Sequence, residues 1–277
     1  MFGVGVGVSV GGFTASSGGG FDPDAQAFFD RVTTAGGTLS LTEKNATNQL
    51  VLDMKSAGIW SSMKAVYPMV GASAAACAQN LKSASFTGTF TSGWTFASTG
   101  VTPNGTSAYF DTNFNNQNNW TSTSNGSMGF ISRTNPAAGA QCDMGSGGSI
   151  GSGANSSTIY SRFSGDDFYS GLNCTTVVPG SSNTSSIGFF VTSRTSSSTY
   201  TRHKRGSSTI NTSVTDSIGI NPNKKIYLGA GNDALTNLPS NYSNREYDFC
   251  FIGDGLTQTQ VDNYWTALQT FNSTLSR

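Results

Sequence analysis

Three stretches of the sequence place aromatic side chains among amides and hydroxyls. Residues 113–120 hold five asparagines before a tryptophan, and two shorter segments carry Phe168 beside Tyr169 and Tyr242 after an asparagine. Amide and hydroxyl groups hydrogen-bond the hydroxyls of a sugar while an aromatic face stacks on its ring. The pattern predicts a glycan-contacting surface, and an ordinary surface loop is the alternative. The predicted contact residues are Trp120, Asn118, Asn119, Phe168, Tyr169 and Tyr242.

Oxygen-bearing side chains alternate just before the tryptophan, at Asp111, Asn113 and Asn115. Carboxylate and carbonyl oxygens at alternate positions suit Ca²⁺. The glycine at position six and the glutamate at position twelve of an EF-hand loop are missing from this stretch. The sequence therefore leaves calcium and a solvated loop open as alternatives, and it indicates no other cofactor.

The chain contains a single histidine, His203, between Arg202 and Lys204. Neighbouring cations disfavour protonation of the imidazole, and no carboxylate stands beside it in sequence to orient it as a base. We expect this segment, as far as Gly206, to form an exposed hairpin tip. Catalysis by a Ser-His-Asp triad is therefore not expected, and the sequence predicts no catalytic residue.

Composition restricts the classes of partner. Glycine, serine, threonine and asparagine make up nearly half of the 277 residues, and only 11% of residues are charged. A hydrophobic content of 36% is too high for a disordered chain, so the protein should fold. The net charge is zero, which argues against nucleic acid and anionic membranes as partners. No apolar stretch approaches the length of a membrane span, so none is predicted.

Four cysteines are widely spaced, at Cys77, Cys142, Cys174 and Cys250. They form no CxxC pair, which disfavours a zinc site. We expect buried thiols, and one or two disulfides are the alternative.

The element signals divide the chain into three parts. Residues 1–20 alternate valine with glycine and then become rich in serine and glycine, which predicts an arm that either docks as a strand or forms a tail and linker. Residues 21–82 are expected to form a helical hairpin module. Residues 83–277 are expected to form a β-sandwich that ends in a helix.

Helix starts are marked by capping residues. Asp22 is a suitable N-cap before Pro23, and Ser40 with Glu43 has the spacing of a capping box. Residues 257–260, Thr-Gln-Thr-Gln, repeat that spacing before the last helix. Its apolar stripe should pack on the sandwich and consists of Val261, Tyr264, Trp265, Leu268, Phe271 and Leu275.

Short apolar and aromatic runs separated by Ser, Asn and Gly turns predict at least eight strands without a helix between them. This arrangement favours a mainly β fold, an antiparallel jelly-roll sandwich. The runs are Phe86 to Phe90, Ser107 to Asp111, Met128 to Arg133, Thr158 to Phe163, Ile187 to Arg194, Thr199 to Lys204, Ile226 to Leu228 and Glu246 to Ile252.

Several segments resemble bacteriophage virion proteins, notably those of Bacteroidetes phages, that carry a laminin-G or concanavalin-A-like lectin/glucanase sandwich. The resemblance lies in residues 24–68, in 103–112 with its Pro-Asn-Gly-Thr start, in 187–194, and in the strand-to-helix unit 252–264. It implies a concanavalin-A-like fold for the sandwich.

The same resemblance implies a place on the virion surface, as a spike, tail fibre or decoration subunit. Its implied partners are host cell-surface carbohydrate and other virion proteins, the latter bound through residues 1–20. It also implies a homo-oligomer, such as a trimer. The alternative is a purely structural capsid or tail subunit without a ligand.

A glycan hydrolase is the less favoured alternative. The glucanase branch of the resembled family carries Glu-x-Asp-x-x-Glu on one strand, and two carboxylates are needed for hydrolysis. Here Glu246 and Asp248 match the first two positions, but Phe251 stands at the third. The protein is therefore expected not to be an enzyme.

Overall fold

The structure is a computed structural model that describes residues 20–147, 156–175, 180–219 and 223–277. Of the predicted arm, residues 1–20, only Gly20 belongs to these ranges, so the predictions for the arm lie outside the described residues. Within the ranges, no helix is long and apolar enough to cross a membrane.

The helices are α1 (Pro23–Thr34), α2 (Leu41–Ser56), α3 (Ala74–Cys77) and α4 (Gln258–Thr274), with a 3₁₀ turn at Trp60–Ser62. The strands are β1 (Met63–Tyr67), β2 (Thr89–Phe90), β3 (Trp94–Ala97), β4 (Gly100–Pro103), β5 (Phe110–Asn115), β6 (Gly126–Ser132), β7 (Met144–Gly147), β8 (Ser156–Phe163), β9 (Asp167–Cys174), β10 (Ser181–Ser182), β11 (Gly188–Arg194), β12 (Thr199–Gly206), β13 (Ile210–Thr215), β14 (Lys225–Leu228), β15 (Gly231–Asp233), β16 (Pro239–Ser240) and β17 (Tyr247–Gly253).

The strands form two sheets. The eight-stranded sheet has the order β13-β12-β11-β6-β17-β4-β3, with β1 also paired to β17. The nine-stranded sheet has the order β10-β9-β8-β7-β14-β5-β2, with β15 and β16 attached beside β7. Among the described pairs, only β7 with β15 is parallel. Among the described strands the chain changes sheet after β1, β2, β4, β5, β6, β10, β13 and β16, as in a jelly roll. The predicted mainly β antiparallel sandwich is confirmed.

Three layers result, because the eight-stranded sheet is covered on both faces. Phe189 of β11 points toward the helices and packs with Tyr264 of α4. Its neighbour Phe190 points the other way, into the core between the two sheets, beside Phe130 of β6. The period-two alternation of a strand thus supplies two separate hydrophobic cores.

The predicted helix starts are confirmed. Asp22 caps α1 with Pro23 at its first position, and Ser40 with Glu43 forms a complete capping box on α2. Thr257 and Gln260 form a second complete box at α4. In the stripe of α4, however, Trp265 and Leu275 are only partly buried.

One strand lies inside the segment that the sequence assigns to the helical module. Residues 63–67 form β1, which pairs antiparallel with β17, so that Val66 lies opposite Phe251. Segment 21–82 is thereby joined to the eight-stranded sheet by backbone hydrogen bonds as well as by helix packing.

The prediction of an exposed hairpin tip at His203 is wrong. His203 lies within β12 and is 2% exposed, with Nδ1 2.8 Å from Asn211 Oδ1 and Nε2 2.9 Å from Thr201 Oγ1. Burial lowers the pKa of His203, and the neighbouring Arg205 lowers it further. The run of charges is buried because each cation finds oxygen partners: Lys204 Nζ, for example, donates to Asn183 Oδ1 at 2.6 Å.

The four cysteines are buried free thiols, as the first of the two alternatives predicts. Burial raises the pKa of the Cys77 thiol to about 12 and that of Cys174 to about 11. These side chains therefore act as small apolar groups in the core.

Candidate functional site

Two of the predicted sugar-stacking rings face the core. Trp120 is 8% exposed, its Nε1 donates to Asn116 Oδ1 at 2.8 Å, and its ring packs edge-on against Phe114. Phe168 has no exposed area and packs against Phe190 between the sheets. Stacking on a ligand requires an open ring face. The burial of Trp120 and Phe168 therefore contradicts the prediction that their rings contact a ligand.

The amides next to Trp120 stabilise their own turn. Asn119 Oδ1 accepts a hydrogen bond from the backbone N–H of Asn115 at 2.6 Å. Asn115 Oδ1 in turn accepts from the backbone N–H groups of Gln117 and Asn118. These bonds form local Asx turns, and of the two predicted amides Asn118 is the exposed one.

Tyr169 and Tyr242 lie in different aromatic clusters. Tyr169 is partly buried, meets Phe163 edge-on at 5.3 Å, and packs against the small core around Tyr200. Tyr242 is also partly buried. Its pKa is raised by burial and by the neighbouring Tyr109.

Tyr109 and Tyr227 join Tyr242 in one cluster, which we call the tyrosine surface. The rings of Tyr109 and Tyr227 are stacked, with centroids 4.3 Å apart and an interplanar angle of 23°. Burial raises the pKa of Tyr227, as do Asp111, Tyr109 and Tyr242 to a smaller degree. All three residues are partly exposed, and a tyrosine ring with an open face can stack on a ligand.

Strand geometry positions these rings on the outer side of the nine-stranded sheet. Tyr227 of β14 pairs with Asp111 of β5, and the next pair along, Leu228 with Phe110, is buried in the core between the sheets. Alternation therefore sends residues 109, 111 and 227 to the opposite side. The backbone of Tyr109 is fixed by Thr91, whose Oγ1 accepts from the Tyr109 N–H at 2.9 Å.

A lysine bridge lies beside the tyrosine surface. Lys225 Nζ is 3.0 Å from Asp111 Oδ2 and 2.5 Å from Asn113 Oδ1. An irregularity in the β5–β14 pairing brings these groups together, because Asn113 adopts the left-handed conformation (φ 57°). Its Nδ2 donates to the carbonyl of Thr87 at 2.6 Å, which holds the bulge.

The bridge gives the predicted calcium ligands other partners. Lys225 binds the Asp111 and Asn113 oxygens, whereas Asn115 Oδ1 accepts backbone N–H groups of the following turn. In the ranges that the structure describes, no three His, Cys, Asp or Glu side chains form a group suited to a metal ion. An ammonium group thus stands where the spacing of oxygens suggests a cation.

The glucanase-like positions Asp248 and Phe251 of β17 lie against helix α4. Phe251 packs against Tyr264 of α4 with ring centroids 5.0 Å apart. The Asp248 side chain has no exposed area, and Glu246 lies 3.8 Å from Arg133. The helix layer covers the strand face on which a hydrolase would display its carboxylates.

Comparison with protein-family models gives no match, and comparison with curated proteins gives none either. The resemblance to phage virion proteins is thus not supported by these comparisons and stays a prediction.

Sequence reasoning named Tyr242 but missed Tyr109 and Tyr227. Both stand beside core residues: Tyr109 immediately precedes Phe110 of β5, and Tyr227 lies between Ile226 and Leu228 of β14. The alternation of apolar and polar residues, Phe110-Asp-Thr-Asn-Phe114 and Lys225-Ile-Tyr-Leu228, is the signal that marks Asp111, Lys225 and Tyr227 as outward-facing. The pairing of the two strands, which are more than 100 residues apart, is not visible in the sequence.

Proposed function

We propose that this protein binds carbohydrate through the tyrosine surface and does not cleave it. The observation that carries the proposal is the stack of Tyr109 on Tyr227, with Tyr242 nearby, on the outer side of the sandwich. A pyranose ring presents C–H groups on its face and hydroxyls at its edge, and a tyrosine cluster satisfies both.

The lysine bridge supplies polar contacts next to the rings. Lys225 carries three N–H donors and spends two of them on Asp111 and Asn113. Its side chain is 44% exposed, so the remaining donor is available to a ligand oxygen. Since Asp111 offsets the positive charge of Lys225, the surface favours a neutral sugar over a charged one.

We also propose that the protein belongs to a phage particle, as a spike, fibre or decoration subunit on its surface. Support for this placement is the sequence resemblance. Residues 1–20 would join the other virion proteins by adding a strand to their sheets, and a homo-oligomer would multiply weak glycan affinity through avidity. Removal of residues 1–20 should leave a folded protein that no longer enters particles, whereas normal incorporation would contradict the role of the arm.

A glycan array and host surface polysaccharide test the binding proposal directly. The full chain should be retained on at least one neutral polysaccharide, and reducing ends should not appear on long incubation. Release of reducing ends would show hydrolysis and contradict the non-enzymatic proposal. Absence of both retention and cleavage across several host preparations would favour the purely structural subunit instead.

A further inference from the structure

An open cavity, separate from the tyrosine surface, lies on the helix side of the eight-stranded sheet. Its volume is about 240 Å³, and it is bordered by α4 and the ends of β6, β11, β12 and β17. We call it the Arg133 cavity. The side chains that line it and bear on its chemistry are Arg133, Ile187, Asp248, Trp265 and Asn272.

Three buried polar atoms at this cavity lack a hydrogen-bond partner: Arg133 Nε, Asp248 Oδ1 and Asn272 Oδ1. The other carboxylate oxygen of Asp248 is occupied, because it accepts from Asn272 Nδ2 at 3.0 Å and from Arg133 Nη1 at 3.4 Å. Buried polar groups in native proteins are almost always satisfied by protein, water or ligand. These atoms lie beneath the cavity surface, and a molecule that reaches them would donate to the two oxygens and accept from the nitrogen.

Charges around the cavity balance. The carboxylates of Asp248 and Glu246 face the guanidinium of Arg133, and Arg277 donates to the backbone carbonyl of Asp248 at 3.3 Å. The charged residues that line the cavity are Arg133 and Asp248, so an anionic ligand would meet the Asp248 carboxylate and a cationic one the Arg133 guanidinium. The chemistry selects a neutral ligand.

Hydroxyl groups meet the remaining requirements, because each both donates and accepts. Neighbouring hydroxyls on one ring place two donors and an acceptor within a few ångströms of each other. The volume of about 240 Å³ is below the roughly 300–1,000 Å³ of pockets for drug-sized ligands, which suits a single ring. Trp265, partly exposed and stacked on Phe189 with an interplanar angle of 12°, adds an aromatic wall.

We propose that the Arg133 cavity binds one neutral, hydroxyl-rich ring of monosaccharide size. The mouth is formed by Arg133, whose side chain is 25% exposed, and by Ile187, which is 41% exposed. The Asp248 carboxylate is closed to solvent, so a ligand reaches it only by displacing Arg133 from its 3.4 Å contact. This site is separate from the tyrosine surface and does not depend on the function proposed there.

Saturation-transfer NMR on the full chain tests the inference, with glucose, galactose and mannose as probes and acetamide as a comparison. Asn272→Leu removes the amide, and Ile187→Trp narrows the mouth from an exposed position. Leu52→Trp is the matched control, since Leu52 is 42% exposed and lies on α2, away from the cavity lining. In a Tyr227→Ala background, which removes sugar binding at the tyrosine surface, we expect at least one hexose still to bind. Its affinity should be about tenfold weaker when either cavity substitution is added and unaffected by Leu52→Trp.

Three results would overturn the inference. No hexose binding at all would mean that the cavity holds water only. Binding of acetamide without hexoses would mean that the ligand class is wrong. Hexose binding lost in Tyr227→Ala but kept in Ile187→Trp would place the sugar on the tyrosine surface alone. Ile187→Trp keeps the test decisive if Asn272→Leu fails to fold.

Discussion

The ammonium group of Lys225 lies 3.0 Å from Asp111 Oδ2, on the side of the sheet that carries the stacked tyrosines. The same ammonium group reaches Asn113 Oδ1. A lysine side chain thus fixes two oxygen-bearing groups whose spacing in the sequence suits a calcium loop. The Asp111 and Asn113 oxygens are thus joined by the lysine ammonium group.

This arrangement predicts that glycan retention does not require calcium. EDTA should leave retention on the polysaccharide unchanged, because the Asp111 and Asn113 oxygens already have a cationic partner. Lys225→Gln should weaken retention in the presence and in the absence of CaCl₂ alike. Loss of retention in EDTA, followed by recovery with calcium, would contradict the account of the lysine bridge.

Breaking the buried ion pair inside the sandwich should lower the free energy of unfolding more than breaking a partly exposed pair does. Asp143 and Arg245 are both fully buried and 3.2 Å apart, and the carboxylate also accepts from the Tyr247 hydroxyl at 2.7 Å. Asp143→Ala leaves the Arg245 guanidinium buried without its carboxylate partner. The free energy of unfolding in urea should therefore fall by about 3–5 kcal/mol. Lys64→Ala, which breaks the partly exposed pair with Asp254, should cost less than about 1 kcal/mol. Similar losses of unfolding free energy in Asp143→Ala and Lys64→Ala would contradict the prediction that the buried ion pair matters more than the partly exposed one.

The pH dependence of the free energy of unfolding should reflect the titration of Asp248. Burial raises its pKa from 3.8 to about 6, against the lowering effects of Arg277 and Arg133. The folded state binds this proton more tightly than the unfolded state does. Protonation of Asp248 therefore adds to the free energy of unfolding; the contribution is complete below pH 3.8 and is lost as the pH rises through 6.

Asp248→Asn removes this titration. Relative to the variant, the wild-type protein should gain about 2–3 kcal/mol of unfolding free energy between pH 8 and pH 4. Urea titrations of both proteins at several pH values provide the measurement. Parallel pH profiles for the two proteins would show that Asp248 keeps its ordinary pKa.

The stability of the folded protein should depend more on Phe271 of α4 than on Trp265 of the same helix. Phe271 is 1% exposed within the helix-side core, whereas Trp265 stacks on Phe189 and stays partly open to solvent. Phe271→Ala should cost about 3–5 kcal/mol in a thermal or urea melt. Trp265→Ala leaves a smaller cavity and should cost about half as much. A larger loss for Trp265 would mean that its ring is more deeply packed than the structure shows.

Local signals predicted the fold well where they act within a few residues. Asp22, Ser40 and Thr257 mark their helix starts because the side chain of each caps a backbone N–H close by. The strand β1 was assigned to the helical module because its pairing with β17, nearly 200 residues later, leaves no local trace. The run of charges around His203 predicted an exposed hairpin tip. The segment is buried instead, because neighbouring residues supply oxygen partners that the sequence alone does not reveal.

The candidate site was only partly predictable for the same reason. Aromatic residues in polar loops signal glycan contact only when their rings are open, and Trp120 turns inward because Asn116 provides a partner for its indole N–H. Tyr242 was named from its loop. Its neighbours Tyr109 and Tyr227 come together through the pairing of β5 with β14 and a bulge at Asn113.

The most direct test of the central claim compares Tyr227→Ala with Tyr169→Ala in affinity for the polysaccharide that retains the wild-type protein. Both substitutions remove a partly buried tyrosine, but only Tyr227 belongs to the tyrosine surface. The dissociation constant should rise at least about tenfold for Tyr227→Ala and stay within about twofold for Tyr169→Ala, with both variants folded. An unchanged affinity in Tyr227→Ala, or a loss confined to Tyr169→Ala, would contradict the proposal that this surface binds carbohydrate.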